Sequence, residues 1–305
     1  MNITVILCSY NRCQSLAKAL DSVAAMTVPA SIDWEVLVVD NNSTDKTRET
    51  VEEFRRQHPQ RFRYLFVAEP GKSHALNAGI REAHGDILVF TDDDVTVQPA
   101  WLHNLTSPLQ DLGLSGAGGR TLPEQAASMP RWLSTDVRAV WAPLAVFDLG
   151  SIGCEISQTP YGNNMAFRRQ MFDKHGGFRT DLGPRPGNDI RSEDTEFGQR
   201  LLRAGERLWY EPSAVVYHAV PASRLRKAYF QKWWFAKGRA DVRESGVAPS
   251  TKWRAFGIPL VLFRRLTLWV LLWMFDVNPP RRFSSKTKVY WLAGLIVESF
   301  RQSRV

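Results

Sequence analysis

The feature that most constrains this chain is an alternation running through its first hundred residues. Short apolar runs rich in Val, Ile and Leu occur at 3–8, 35–40, 62–67 and 87–91, and stretches with helical spacing of apolar residues fall between them at 14–26, 45–58 and 73–83. Apolar runs of that length read as strands buried on both faces, and strands separated by amphipathic helices join as βαβ units. The pattern predicts an α/β fold with a Rossmann-like, mostly parallel sheet flanked by helices. Sheets of this kind gather ligands beyond the carboxyl ends of their strands. The polar clusters of the chain fall at those ends: Ser9 to Arg12 after the first strand, Asp40 to Asp45 after the second, Glu69 to Lys72 after the third, and Asp92-Asp93-Asp94 after the fourth.

Beyond that region the pattern weakens. Residues 113–157 carry Gly and Pro clusters without a clear period, so a long, partly irregular segment is expected there. Order returns at 161–167, and Ser192 and Gly205 bracket a helix as N-cap and C-cap. A short strand pair at 208–210 and 214–218 closes the globular part. The start lacks a charged segment followed by a long apolar run, so no secretory signal is expected. Three cysteines without a C-x-x-C pair are too few for a disulfide framework, and a reducing compartment follows as the expectation.

Several residue groups carry chemistry, each with a plainer reading beside it. Three adjacent carboxylates at a strand end can cap the helix expected at 99–109, stay solvated, or share a divalent cation. Asp40 ends an apolar strand, and the polar run after it is either a ligand loop or a connection in which Asp45 caps the next helix. Gly71-Lys72-Ser73 resembles the end of a phosphate loop, but that loop needs Gly at position 66, where Phe66 stands, and a nucleotide triphosphatase is disfavoured. Gly116-Ala117-Gly118-Gly119 misses the last glycine of a dinucleotide fingerprint and comes too late in the chain, so no such cofactor is assigned. Glu193-Asp194 starts a helix, where the macrodipole stabilises anions, and either residue could serve as a general base. His218 ends a strand as a structural residue or a ligand.

Taken together and in order, Cys-Ser-Tyr-Asn-Arg12, Val-Val-Asp40-Asn-Asn-Ser-Thr-Asp45, Gly-Lys-Ser-His-Ala-Leu-Asn-Ala-Gly79, Thr-Asp-Asp-Asp94, Gly-Asn-Asn164, Ser-Glu-Asp194 and Tyr-His218 resemble the family 2 glycosyltransferases of the GT-A fold. The resemblance covers about residues 1–220. It implies a metal-dependent hexosyltransferase that moves a sugar from a nucleotide diphosphate donor to a hydroxyl with inversion. Asp194 matches the family's base. Asp92 and Asp94 match the carboxylates that hold Mg²⁺ or Mn²⁺ against the diphosphate, with His218 near the same site. By the same matching, Ser9, Asn11, Arg12, Lys72, Asp92 and Asp93 line the nucleotide pocket, and Asp40 binds the base, most naturally uracil. Asn163, Asn164 and Glu193 would face the sugar or the acceptor. The domains implied are 1–222, with a nucleotide-binding half at 1–112 and an acceptor and catalytic half at 113–222, followed by a helical tail at 223–305. Processive synthases of the family carry Gln-x-x-Arg-Trp after the base; Gln231-Lys232-Trp233-Trp234-Phe235 lacks the Arg, which implies a single-transfer enzyme.

The net charge of +8 belongs to that tail. From residue 223 onward, 17 Lys and Arg stand against 4 Asp and Glu, whereas residues 1–222 have 22 against 27. The tail also holds more than half of the eleven tryptophans, a mixture suited to a membrane interface. Single-stranded nucleic acid could use the same mixture, but no recognised motif supports it and no nucleic-acid partner is expected. Arg264 and Arg265 interrupt the apolar runs 256–263 and 266–275. Each would cost about 2.5–3.5 kcal/mol at the centre of a span, while Leu or Phe recovers about 0.3–0.6. Helices lying in an anionic interface are therefore expected over a spanning segment, with a packed helical subdomain or a dimer surface as the plainer reading.

These readings lead to a peripheral enzyme at the cytoplasmic face of a bacterial membrane, acting on a glycan or lipid-linked acceptor in surface-polysaccharide assembly. Transfer onto polyprenyl phosphate and a noncatalytic nucleotide-binding scaffold are the alternatives.

Overall fold

The computed structural model describes residues 1–124, 130, 132–133, 141–187, 190–246 and 253–303. The described chain falls into two compact units.

The first unit is the α/β body. It begins as β1 (Asn2–Ser9), α1 (Cys13–Ala24), β2 (Asp33–Asp40), α2 (Thr47–Gln57), β3 (Phe62–Phe66), α3 (Lys72–Glu82) and β4 (Ile87–Asp92). The four strands are parallel in the order β3-β2-β1-β4. The remaining elements are β5 (Val95–Val97), α4 (Trp101–Asp111), β6 (Gly116–Pro123), β7 (Cys154–Ile156), β8 (Asn164–Arg168), α5 (Arg169–His175), α6 (Glu193–Arg203) and β9 (Leu208–His218). They extend the sheet as β8-β6-β9-β5, with β7 on β9. Beyond β4 the pairing is mixed: β8 is antiparallel to both β4 and β6, and β9 is parallel to β6.

Both sheet faces are covered, as continuous apolar strands require. Along β1, Val5 and Leu7 join one cluster with Leu16 and Leu20 of α1, Phe54 of α2 and Trp101 of α4. Ile6 points the other way, into a cluster with Leu76 of α3, Phe172 of α5 and Phe197 of α6. Phe172 and Phe197 stack with ring centroids 4.5 Å apart.

Two expectations change. The segment expected to be irregular contains the interior strand β6. Its glycines make room for neighbours: a Cβ on Gly118 would lie 2.2 Å from the Pro160 Cβ, and one on Gly116 would lie 2.4 Å from the Phe167 ring. The expected strand pair near 210 is instead the single strand β9, whose register shifts between the pairs Gly119–Glu211 and Arg120–Val215. Pro212 offers no N–H there, and Ser213 turns its N–H and hydroxyl onto Glu211 Oε1 at 3.1 and 2.6 Å.

The second unit gathers residues 220–303 with the described parts of 125–144 and 181–192. Its helices are α7 (Lys227–Ser245), α8 (Leu260–Phe275) and α9 (Pro279–Gln302), with a small hairpin of β10 (Arg254–Ala255) and β11 (Ile258–Pro259). Asn278 caps α9 by accepting the Arg281 N–H at 3.1 Å, with Pro279 and Pro280 at the start of the helix. Buried Glu298 of α9 accepts from Arg239 and Arg243 of α7 at 2.8 and 2.5 Å. Among the described residues no helix is long and apolar enough to cross a membrane.

Candidate active site

The site forms where the strand order reverses, at the carboxyl ends of β1, β2 and β4. Register sets it: Ser9 pairs with Asp40, and Cys8 pairs with Asp92, so three strands deliver polar side chains side by side.

Asp93 is the buried centre of the acidic triplet. It accepts from Ser9 Oγ at 2.7 Å and from Arg12 Nη1 at 3.0 Å. Burial pushes its pKa up to about 6 against the pull of Arg12. The same Arg12 nitrogen lies 3.0 Å from Asp94 Oδ2, and His218 Nε2 lies 3.5 Å from that oxygen. The sheet places His218 there, because β5 follows Asp94 directly and its Val95 pairs with His218 on β9. Asp92 turns elsewhere and accepts from Lys72 Nζ at 2.6 Å.

Lys72 extends the set toward α6. Its ammonium lies 3.8 Å from buried Glu193. Burial alone would lower the Lys72 pKa, but Asp92, Glu193 and Asp194 outweigh it and hold it above the ordinary value. Burial, then the neighbouring Asp194 charge, raises the Glu193 carboxyl. Asp194 sits in the first turn of α6, where its Oδ2 accepts the Gly162 N–H and its Oδ1 the Thr195 N–H, both at 2.7 Å. A Cβ on Gly162 would lie 3.2 Å from that Oδ2, so glycine permits the contact. Burial and the Asp194 charge push the Tyr161 hydroxyl up to about 12.

On the β2 side, buried Asp40 accepts the Tyr64 hydroxyl at 2.7 Å and the Ser43 N–H at 2.9 Å. Asn11, at φ +51°, accepts from the Thr44 N–H at 2.7 Å and stitches the loop after β1 to the loop after β2. Asp45 does cap: it accepts from the Thr47 N–H at the start of α2, and also from the Cys13 N–H at the start of α1.

Thus Ser9, Arg12, Asp93, Asp94 and His218 are linked by a hydrogen bond and close charge pairs, and at the same end of the sheet Lys72 holds Asp92, lies near Glu193 and feels the Asp194 charge. Asn11 and Asp40 shape the adjoining loops. The two asparagines after Gly162 separate from this group. Asn164 spends its side chain inside the sheet, accepting from Trp101 Nε1 at 2.8 Å and donating to the Arg120 and Ala214 carbonyls at 3.0 and 2.9 Å. No donor of that amide is left for a sugar. Asn163 is equally buried, with its Oδ1 3.3 Å from Thr121 Oγ1 and its Nδ2 without a partner among the described residues.

Sequence reasoning passed over Tyr64, Tyr161 and Asn41. Asn41 accepts from the Gly71 N–H at 2.7 Å and donates to the Glu69 carbonyl at 2.7 Å, which fixes the loop that presents Lys72. A tyrosine among the strand residues of β3 was the available signal for Tyr64, because a partly buried phenol seeks an acceptor.

The donor set suits a hard divalent cation. Asp94 and His218 converge, and this end of the sheet holds five carboxyl groups against two permanent cations, Arg12 and Lys72. Among the described residues no group of three or more His, Cys, Asp or Glu is placed to hold a metal ion, so any ion here would take part of its shell from phosphate or water. Mg²⁺-type ions are commonly held by one or two carboxylates, with phosphate and water oxygens completing the shell.

The model of glycosyl transferase family 2 matches residues 4–176, more than half of the chain. The succinoglycan biosynthesis protein ExoM of Rhizobium meliloti is 31% identical over 245 residues, which cover 80% of this chain and 75% of that protein. The glucosyl-dolichyl phosphate glucuronosyltransferase of Haloferax volcanii is 26% identical over 243 residues, covering 77% and 75%. Among solved structures, a mannosyltransferase from Pyrobaculum calidifontis in complex with GDP-Man and Mn²⁺ superposes with a TM-score of 0.60 at 22% identity, over 99% of this chain and 74% of that one. Motif order, sheet topology and these matches agree, and the chain belongs to glycosyl transferase family 2 as a glycosyltransferase of the GT-A fold.

Proposed function

We propose that this enzyme transfers a sugar, with inversion, from a nucleotide diphosphate donor to a hydroxyl of a lipid-linked or membrane-proximal glycan during bacterial surface-polysaccharide assembly. The observation that carries the reading is the presence of two chemistries in one α/β unit: a carboxylate, Asp194, held by two backbone amides, and the Asp94–His218 pair at the β4 end. The names of the succinoglycan and dolichyl-phosphate relatives support the acceptor class.

In this reading Asp194 takes the proton of the acceptor hydroxyl while that oxygen attacks the anomeric carbon and the bond from that carbon to the donor phosphate breaks. The two amides keep the carboxylate aimed in a partly buried place. Asp94 and His218 would hold Mg²⁺ or Mn²⁺, which when bound supplies positive charge for the departing diphosphate. Arg12 and Lys72 add fixed positive charge on either side of the acidic triplet. Asp40 and the loops joined by Asn11 form the nucleoside end, with a UDP-sugar as the expected donor.

Calorimetry of UDP-, GDP- and dTDP-sugars with and without Mn²⁺ tests the reading. One nucleotide series should bind in a Mn²⁺-dependent way, and Asp94→Ala should abolish that dependence. Donor binding indifferent to both the metal and Asp94→Ala would overturn the metal assignment, and absence of binding for all three series would overturn the donor class.

A further inference from the structure

Helix α8 divides its residues between two faces. Leu262, Leu266, Trp269 and Trp273 recur at helical spacing on one side. The first three join Leu292, Trp291 and Leu295 of α9 in one apolar cluster. Lys288 of α9 lies 3.7 Å from the Trp269 ring centroid and Lys286 lies 4.9 Å from that of Trp273. The remaining surface carries exposed Leu268, Leu271, Leu272, Met274 and Phe275, followed by Val277; Phe275 is 73% and Val277 95% accessible. Four of these line a shallow apolar depression that ends at Asp276.

Guanidinium pairs bracket this patch. Arg264 and Arg265 stand exposed one turn before it on α8, and Arg281 and Arg282 stand exposed in the first turn of α9 just beyond it. Arg282 Nε donates to the Trp273 carbonyl at 3.2 Å, which fastens that pair to the end of α8. Between residues 260 and 282 Asp276 is the one acidic residue against four arginines. An aliphatic and aromatic face with cations at both ends complements a surface that is apolar below and anionic above. With 16 residues α8 is about 24 Å long, short of the ~30 Å hydrocarbon core, and its own arginines oppose insertion end-on.

We propose that this face of α8 docks flat on an anionic phospholipid bilayer, with Leu271 and Phe275 entering the acyl boundary and the four arginines contacting lipid phosphates. The proposal deepens the membrane-proximal acceptor reading and rests on it for its purpose, while its evidence is the helix itself.

The experiment is cosedimentation of the full chain with vesicles of phosphatidylcholine alone and of phosphatidylcholine mixed with phosphatidylglycerol. Wild type should bind the mixed vesicles and release as salt is raised. The double substitution Leu271→Glu with Phe275→Glu should lower the bound fraction at least tenfold, and Arg264→Glu with Arg265→Glu should do so on the mixed vesicles. All four side chains are exposed, and circular dichroism with the milder Leu271→Ala, Phe275→Ala pair separates lost docking from lost folding. Wild type that ignores the mixed vesicles, or an α8 variant that binds as wild type does, overturns the proposal. Self-association in sedimentation velocity that the Glu pair abolishes, without vesicle binding, overturns it in favour of a second copy of the chain. Vesicle binding without any nucleotide-sugar binding would instead leave the α8 surface standing and remove the transfer reading.

Discussion

Asp194 illustrates how a single side chain is prepared for its task. Its two oxygens accept backbone N–H groups from different segments, Gly162 and Thr195, so its direction is set by the main chain. Asp194→Asn keeps the shape and removes the basicity. Turnover should fall on the order of 10²–10⁴-fold with donor affinity retained, as read by steady-state kinetics beside calorimetry; near-normal turnover would remove Asp194 as base. The role of Asn164 is different, because its contacts are internal. Trp101→Phe leaves the buried Asn164 Oδ1 without its indole donor and opens space beside it. The expected cost is about 2–4 kcal/mol in chemical denaturation. Sequence spacing marked Asn163 and Asn164 as one motif, yet Asn163 lies in the turn before β8 while Asn164 opens the strand, and its amide is spent on the carbonyls of Arg120 in β6 and Ala214 in β9.

At the scale of elements, the junction of β9, α5 and β6 is held by Glu206. It accepts from Lys174, from Ser115 and from His175, and these contacts, in that order of weight, lower its pKa from 4.5 to about 2. A depressed carboxyl contributes stability that is full above pH 4.5 and is lost as pH falls through the folded value near 2. Glu206→Gln should therefore cost about 1–3 kcal/mol at neutral pH, and the gap to wild type should close between pH 4.5 and 2 in denaturant titrations. In the helical unit, α7 and α9 meet through glycines. A Cβ on Gly238 would lie 2.0 Å from the Trp291 carbonyl oxygen, and one on Gly294 would lie 2.1 Å from that of Phe235. Gly238→Ala should force the helices apart, with a cost of about 1–3 kcal/mol and faster proteolysis within α7–α9. Wild-type resistance in that variant would refute the tight crossing. The periodicity of α1, α2 and α3 was legible because each presents a regular apolar stripe to the sheet. Strand β6 was not, because its glycines are chosen by the bulk of Pro160 and Phe167 on neighbouring segments.

Across the whole molecule, the tail is tied into its unit by distant sequence. Leu182 and Ile190 bury against Ala240 of α7, and the Trp132 ring lies 5.2 Å from Phe230 and 4.5 Å from Phe283. A chain cut after residue 222 would uncover those partners, so its soluble fraction should collapse relative to the full chain; a monodisperse product in gel filtration would show that 223–303 is dispensable for folding. Sequence alone determined the parallel half of the sheet, the loops that carry the polar clusters and the ordered motifs of the family. Those features are local: they follow from side-chain period, strand length and residue type at strand ends. Tertiary structure decided that Lys72 grips Asp92 and reaches Glu193, that His218 stands beside Asp94, and that Tyr64 serves Asp40. It also decided which face of α8 remains bare. Each of these depends on strand register or helix packing between segments far apart in the chain, and no local pattern carries that information.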